Sequence, residues 1–174
     1  FFGIQSWFMR DVSQLSGGQK QTLNLASVMA MQPDVLILDE PTAQLDPIAA
    51  ADFLETVKRI NREIGTTIIM IEHRLEDVFP MADRAVIMDK GKILIEDVPG
   101  RGGKVLAELN HPMLLAMPTP MQVYESLSKE KDLPLCGSPV TVREGRTWLT
   151  DMFSRRQLTN TKIDDPAEHM SSAD

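Results

Sequence analysis

Several features are absent or scarce in this sequence, and each absence narrows the range of functions. Cys136 is the only cysteine, so the chain has no internal disulfide, which fits a reducing compartment. No apolar run approaches the roughly 18 residues of a membrane helix and no signal peptide is visible, so we expect neither a membrane span nor export. Acidic residues outnumber basic ones by 25 to 18, and no extended cluster of Lys and Arg marks a nucleic-acid surface. We therefore expect no nucleic-acid partner.

One short apolar run ends in two carboxylates. Residues 35–38 (VLIL) lead into Asp39 and Glu40, and Pro41 prevents the strand from continuing. The run predicts a strand buried on both faces of a parallel sheet, with both carboxylates at its ligand-binding end. One carboxylate could hold Mg²⁺ while the other accepts a proton from an attacking water, as phosphoryl transfer requires. Taken alone, the same pattern also fits a strand followed by a solvated acidic turn.

A helix is predicted from near Ser16 to before Pro33. Ser16 and Gln19 have capping-box spacing, and apolar residues follow at helical intervals. Gly17 and Gly18 are poor helix formers, and in the first turn they would let a ligand approach the backbone. Because a helix N-terminus presents free N–H groups, an anion such as a terminal phosphate suits this place. A glycine-rich turn without a ligand is the alternative for these two residues alone.

Four motifs in one order resemble an ATP-binding-cassette (ABC) ATPase. LSGGQ at residues 15–19 resembles the signature motif, VLILDE at residues 35–40 the Walker B strand, and the loop ending in Leu45 and Asp46 the D-loop. TTIIMIE then leads to His73, at the position of the family's switch histidine. The resemblance implies an α/β fold: a partial P-loop NTPase-like ABC ATPase core, with a mostly parallel sheet, flanking helices and a closing β-hairpin.

The region between the two predicted strands has a helical period. Residues 48–64 are expected to form a helix that Gly65 ends, and residues 66–72 form the second buried strand. Strand, helix and strand together predict parallel pairing, which brings His73 to the same sheet end as Glu40. The apolar face of the helix is expected to contain Phe53, Val57, Ile60 and Ile64.

After His73, a short helix and a hairpin are predicted. The helix is expected at residues 75–79, and residues 84–88 and 92–96 alternate as strands around a turn that contains Gly91. Residues 100–104 (GRGGK) are expected to be a flexible loop before a helix at residues 104–109.

The resemblance also implies a role for each candidate site residue. Asp39 would help to hold Mg²⁺, Glu40 would polarise the water that attacks the γ-phosphate of ATP, and His73 would contact that phosphate. Asp46, with the loop at residues 42–46, would report across a dimer of ATPase domains. The γ-phosphate of ATP held by the partner domain would be bound by Ser16, Gly17, Gly18 and Gln19. The complete site would therefore be composite, with nucleotide between two domains that face head to tail.

The phosphate-binding P-loop of the family is missing from this sequence. It requires GxxxxGK followed by Ser or Thr, so that backbone N–H groups and the Lys ammonium neutralise the phosphates, and no segment matches. In the family this motif precedes LSGGQ by roughly a hundred residues, a distance implied by the resemblance and not by this sequence. Since the chain also opens at Phe1 and not at a methionine, we expect it to be the C-terminal part of a nucleotide-binding domain.

The later part of the chain suggests a subgroup and a division into domains. Residues 72–78 (EHRLEDV) resemble the ATPases of energy-coupling-factor and cobalt-type transporters, and residues 139–149 resemble the segment that joins two ATPase halves in duplicated members. We predict an ATPase part at residues 1–109, a linker or extension with short helical pieces at residues 110–159, and a disordered tail at residues 160–174.

The sequence is compatible with three classes of function. The first is the ATP-hydrolysing subunit of a membrane importer for a vitamin or metal, with ATP and Mg²⁺ bound. Its partners would be a second ABC ATPase domain and a transmembrane transporter subunit, and it would lie at the cytoplasmic face of the membrane. The alternatives are a soluble ABC ATPase of DNA repair or translation and a truncated, non-catalytic cassette.

Overall fold

The computed structural model describes residues 1–128 and 137–155. Cys136 and the tail predicted to be disordered at residues 160–174 lie outside the described residues. No helix in the described ranges is long and apolar enough to cross a membrane. The helices and strands, apart from short 3₁₀ turns, are α1 Gly17–Met29, β1 Val35–Asp39, α2 Pro47–Arg59, β2 Thr67–Ile71, α3 Leu75–Val78, β3 Ala85–Asp89, β4 Lys92–Asp97, α4 Pro99–Glu108, α5 Thr119–Ser128 and α6 Val142–Arg155.

The parallel pairing predicted for the two apolar runs is confirmed. β1 pairs with β2 in a register that places Val35 opposite Thr67 and Asp39 opposite Ile71. One face of this sheet packs against α1 and α2 in a core that contains Leu25, Leu36, Phe53, Val57 and Ile60. Because successive strand residues point to opposite faces, this packing buries only alternate positions.

The expectation that β1 is buried on both faces is wrong for the described residues. Ile37 is 65% exposed, and the other outward-facing residues of the pair are at least half exposed. These residues are Val35, Ile69 and Ile71. The apolar composition of β1 is typical of a strand buried on both faces. Among the described residues, however, α1 and α2 cover only one face of the sheet.

The helix predicted at residues 48–64 ends differently from the expectation. α2 stops at Arg59 and continues as one π-helical turn, Ile60–Ile64, before Gly65 ends it at φ 84°. Phe53, Val57 and Ile60 are buried as predicted, but Ile64 is 54% exposed. A π turn holds an extra residue, so the apolar period of an α-helix no longer places Ile64 on the buried face.

The predicted hairpin forms, with β3 and β4 antiparallel. Lys90 and Gly91 make its two-residue turn with φ of 48° and 75°, and two positive φ values match the twist of the flanking strands. In the described part of the chain, the hairpin is a separate two-stranded sheet and does not pair with β1 or β2.

The expectation of a flexible loop at residues 100–104 is wrong. Pro99 occupies the first turn of α4, which extends to Glu108 and includes the whole GRGGK segment. Gly102 and Gly103 are buried, and a Cβ on Gly103 would lie 2.5 Å from Met121 Cγ. Tertiary packing therefore selects glycine here, against its weak helix propensity.

A second apolar core joins the hairpin to the segment after α4. Met117 and Met121 pack in it with residues of α4 and the hairpin, and Glu76 accepts a hydrogen bond from the backbone N–H of Thr119 at 3.0 Å. The hydroxyl and backbone N–H of Thr119 hold the pKa of the Glu76 carboxyl below its usual range. The core contains Phe79, Ile87, Ile95, Leu106, Met117 and Met121.

The division of the chain into domains at residue 109 remains a prediction.

We expect Gly103→Ala to lower the free energy of unfolding by about 1–3 kcal/mol, because the new methyl overpacks against Met121. A glycine-to-alanine change in a helix interior otherwise adds roughly 0.5–1 kcal/mol of stability, so the expected sign is opposite to that of helix propensity. Thermal or denaturant unfolding checks this, with Lys104→Ala on the exposed side of the same helix as the control. A Gly103→Ala variant that is more stable than the parent would contradict the packing.

Candidate functional site

The carboxyl ends of β1 and β2 bring together the two residues predicted to act on the γ-phosphate. His73 Nε2 lies 2.9 Å from Glu40 Oε1, with the two side chains 80% and 46% exposed. An ionised carboxylate only accepts hydrogen bonds, so this contact requires a proton on Nε2. The predicted proximity of Glu40 and His73 is therefore present in the fold, on a side of the sheet edge that is open to solvent.

The backbone of Glu40 is in the left-handed region, with φ of 44°. For a residue with a Cβ this costs roughly 1–2 kcal/mol, so other contacts must maintain it. The Glu40 N–H donates to Ile71 O at 2.9 Å, and the Ala43 N–H donates to Glu40 O at 3.2 Å. The chain thus leaves the sheet sharply at Glu40, and the next residue, Pro41, is buried.

Asp39 is the last residue of β1 and is exposed at the same edge. Within the described ranges its carboxylate has no hydrogen bond or ion pair, and no cluster of three or more potential metal ligands is present. A free carboxylate oxygen fits Mg²⁺, which proteins usually bind through one or two carboxylates together with substrate phosphates and water. Asp39 can therefore contribute one ligand but does not form a metal site without further groups.

Residues 15–19 (LSGGQ), the signature segment, contain the start of α1 as the sequence predicts. Gln19 N–H donates to Ser16 Oγ at 3.2 Å and Ser16 N–H donates to Gln19 Oε1 at 3.0 Å, which completes a capping box. The amides of Gly17 and Gly18, in the first turn, have no acceptor within the helix.

The two glycines of this segment have different surroundings. A Cβ on Gly18 would lie 2.9 Å from the Cβ of Ala49, whereas a Cβ on Gly17 would meet nothing within 4 Å. Close packing of α1 against α2 is therefore sufficient to explain Gly18. No such contact explains Gly17, so the sequence argument for ligand approach rests on Gly17.

Asp46 is the N-cap of α2. Its carboxylate accepts hydrogen bonds from the N–H groups of Ile48, at 3.0 Å, and Ala49, at 2.9 Å. A structural role accounts for this residue, and the predicted role across a dimer remains a prediction.

Three residues hold the loop after β1 through contacts that the sequence did not predict. Thr42, only 2% exposed, donates both its N–H and its hydroxyl to Glu72 Oε1. Gln21 in α1 donates its side-chain amide to Pro41 O at 3.2 Å. The position of Glu72 beside His73 at a strand end could have indicated that it belongs to the site. Its partner Thr42 lies 30 residues away, so no local sequence pattern indicates their contact.

Within the described residues, no hydrogen bond joins Ser16 or Gln19 to Glu40 or His73. The structure brings Glu40 and His73 together directly, while α1 contacts the loop after Glu40 through Gln21 and packs against α2 at Gly18.

Comparisons with known proteins identify the family of the chain. The ABC transporter family model matches residues 2–43. An ABC transporter ATP-binding protein of Bacillus thuringiensis subsp. konkukian is 54% identical over 165 residues, which cover 94% of this chain and 28% of the relative. This chain belongs to the ABC transporter ATPase family. The energy-coupling factor transporter ATP-binding protein EcfA1 of Caldanaerobacter subterraneus is 40% identical to this ABC ATPase chain over 134 residues, covering 75% of the chain and 48% of the relative.

The solved structures confirm the predicted fold class for this ABC ATPase chain. The structure of CbiO1 from Clostridium perfringens, described as part of the ABC transporter complex CbiONQ, aligns with a TM-score of 0.54 at 29% identity. The alignment covers 74% of this chain and 47% of CbiO1. The chain spans only about 28% of the length of the curated Bacillus relatives.

We expect Glu40→Gly to be more stable than Glu40→Ala by about 1 kcal/mol, because glycine adopts positive φ without the Cβ penalty. Both variants lose the contact with His73, so their difference isolates the backbone. Thermal unfolding of the two variants side by side is the measurement. Equal stability, or a more stable alanine variant, would show that positive φ is not enforced at residue 40.

Proposed function

We propose that this chain is the C-terminal part of an ATP-hydrolysing domain and that the intact protein drives an importer of the energy-coupling-factor type. The contact between Glu40 and His73 at one sheet edge supports the hydrolysis most directly. The importer class is supported by the EHRLEDV segment at residues 72–78 and by the likeness to EcfA1 and CbiO1. Vitamin or metal would be the transported substrate.

In the proposed reaction, Glu40 acts as the general base. It removes a proton from a water molecule whose oxygen attacks the γ-phosphorus of ATP, while the bond to the bridging oxygen breaks and ADP leaves. His73 would contact the γ-phosphate, its Nε2–H donating to a phosphate oxygen in place of the present contact with Glu40 Oε1. Mg²⁺, when bound, would neutralise phosphate charge, and Asp39 would hold it at the end of β1.

The other half of the site would come from the signature segment of a second ATPase domain. Ser16, Gly17, Gly18 and Gln19 lie in the first turn of α1 or cap it, where uncompensated amides and the positive end of the helix dipole favour a γ-phosphate. Asp46 would act at the same dimer interface. A transmembrane subunit is the second proposed partner, and the proposed location is the cytoplasmic face of the membrane.

A truncated, non-catalytic cassette is the alternative. The 174 residues contain no GxxxxGK followed by Ser or Thr, a motif that the family carries upstream of LSGGQ. The complete reading frame distinguishes the two: a strand followed by that motif about a hundred residues upstream of LSGGQ supports the ATPase, and its absence supports the remnant.

In the protein expressed from its complete reading frame, Glu40→Gln should keep ATP affinity within about threefold and lower kcat by at least roughly 100-fold. The amide retains the shape of the side chain but cannot accept the proton. Steady-state turnover and nucleotide-binding titration measure the two quantities. Glu63→Gln, in an exposed pair with Arg59, is the control and should leave both unchanged. Turnover retained in Glu40→Gln would show that another group is the base.

The 174-residue chain alone should bind ATP weakly and show negligible turnover, since no segment of it provides the P-loop amides and lysine that hold the β- and γ-phosphates. A sensitive phosphate-release assay, with the complete protein as the positive control, tests this. Turnover in the ordinary range of enzymes from this chain alone would contradict it.

A test of the transporter class is to isolate the intact protein with its bound partners from membrane and soluble fractions. Recovery with an integral membrane subunit is expected. Recovery with DNA or ribosomes alone would support the soluble class of ABC ATPases in place of the importer.

A further inference from the structure

We propose that Glu72 is a positioning residue for the proposed hydrolysis: its carboxylate joins the loop after β1 to the end of β2 and thereby fixes the distance between Glu40 and His73. The inference rests on the proposed function, since it assigns Glu72 to the same site. The effect of Glu72 would be exerted through the two residues that it contacts, Thr42 and His73.

Both oxygens of the Glu72 carboxylate are used. Oε1 accepts the N–H of Thr42 at 2.9 Å and the Thr42 hydroxyl at 2.7 Å. Oε2 accepts the backbone N–H of His73 at 3.3 Å. One side chain therefore connects the residue two positions after Glu40 with His73 itself.

Thr42 transmits this constraint to Glu40 through a short, rigid segment. Pro41, between them, has a fixed φ and is buried, and its carbonyl accepts the amide of Gln21. The Glu40 carbonyl accepts the Ala43 N–H at 3.2 Å. Displacement of Thr42 would therefore disturb the backbone that holds Glu40 at positive φ.

The contact between Glu40 and His73 is too weak to fix the geometry by itself. Both side chains are exposed to water, which screens their attraction, and exposed pairs of this kind contribute little to stability. The contacts of Glu72 are made to Thr42, which is fully buried, and hydrogen bonds to a carboxylate are roughly twice as strong as neutral ones. The Thr42–Glu72 contact is therefore the stronger link between the two loops.

Kinetics of the protein from its complete reading frame test the proposal. Glu72→Ala and Thr42→Val should each lower kcat by roughly 10- to 100-fold with KM for ATP changed by less than about threefold, because misplacement of reacting groups affects the chemical step. Thr42→Ser and Glu72→Gln, which keep a hydroxyl and an acceptor, should lose much less than Thr42→Val and Glu72→Ala. Glu72→Ala removes every acceptor of that carboxylate, whereas Thr42→Val removes only the hydroxyl donor, so the double variant should be no slower than Glu72→Ala alone.

Amide hydrogen exchange provides a readout that does not depend on turnover. Exchange at Thr42 and Ala43 should rise in Glu72→Ala and stay near the parent value in Glu72→Gln, while protection of Val57 in α2 is unchanged if the fold is intact. Unchanged exchange at Thr42 in Glu72→Ala would overturn the proposal, and so would full additivity of the two kinetic losses.

The outcomes separate this proposal from the proposed function. If Glu40→Gln abolishes turnover while Glu72→Ala and Thr42→Val match the parent, the positioning role fails and the ATPase assignment stands. If the parent does not hydrolyse ATP, the proposed function fails, and the exchange experiment alone decides whether Glu72 holds the loop. A loss in Glu72→Gln as large as in Glu40→Gln would contradict a positioning role, because it would indicate a proton-accepting one.

Discussion

The parallel pairing of β1 with β2 is the constraint on which the candidate site depends. Its register places Asp39 opposite Ile71, so Glu40 and the residues after β2 leave the sheet at the same edge. The hydrogen bond from Glu40 N–H to Ile71 O extends the pairing by one residue, into the turn itself. A register shift of one residue would move every side chain of the shifted strand to the opposite face and separate Glu40 from His73.

Within the described residues, helices cover only one face of this sheet, and the candidate site lies at the carboxyl ends of its two strands. α1 and α2 bury Leu36 and its same-face neighbours, whereas the opposite face, centred on Ile37 and Ile69, is exposed. Exposed apolar sheet faces of this kind are unusual in isolated domains. The curated relatives provide a context for it, since this chain corresponds to only about 28% of the length of the Bacillus proteins.

Local signals in the sequence predicted more of the fold than of the site. The capping box of Ser16 and Gln19, the turn at Gly91 and the two apolar strands each depend on a few adjacent residues, and each is confirmed. The failures have two causes, one local and one that involves a distant contact. The exposure of Ile64 follows from a π turn, and the helix through Gly103 follows from Met121, which lies in another element.

The candidate site also contains two kinds of residue, those positioned by the adjacent sequence and those positioned by contacts between distant segments. Ser16, Gln19 and Asp46 make their contacts with helices that begin beside them, so their geometry is set by the segment that contains them. Glu40 and His73 follow two strands that pair only in the folded chain, and their mutual contact is exposed to water. Their relative position must therefore come from less exposed groups that bridge the two strand ends. In the described residues the Thr42–Glu72 contact satisfies that requirement, so positioning is assigned to residues other than those assigned to the chemistry.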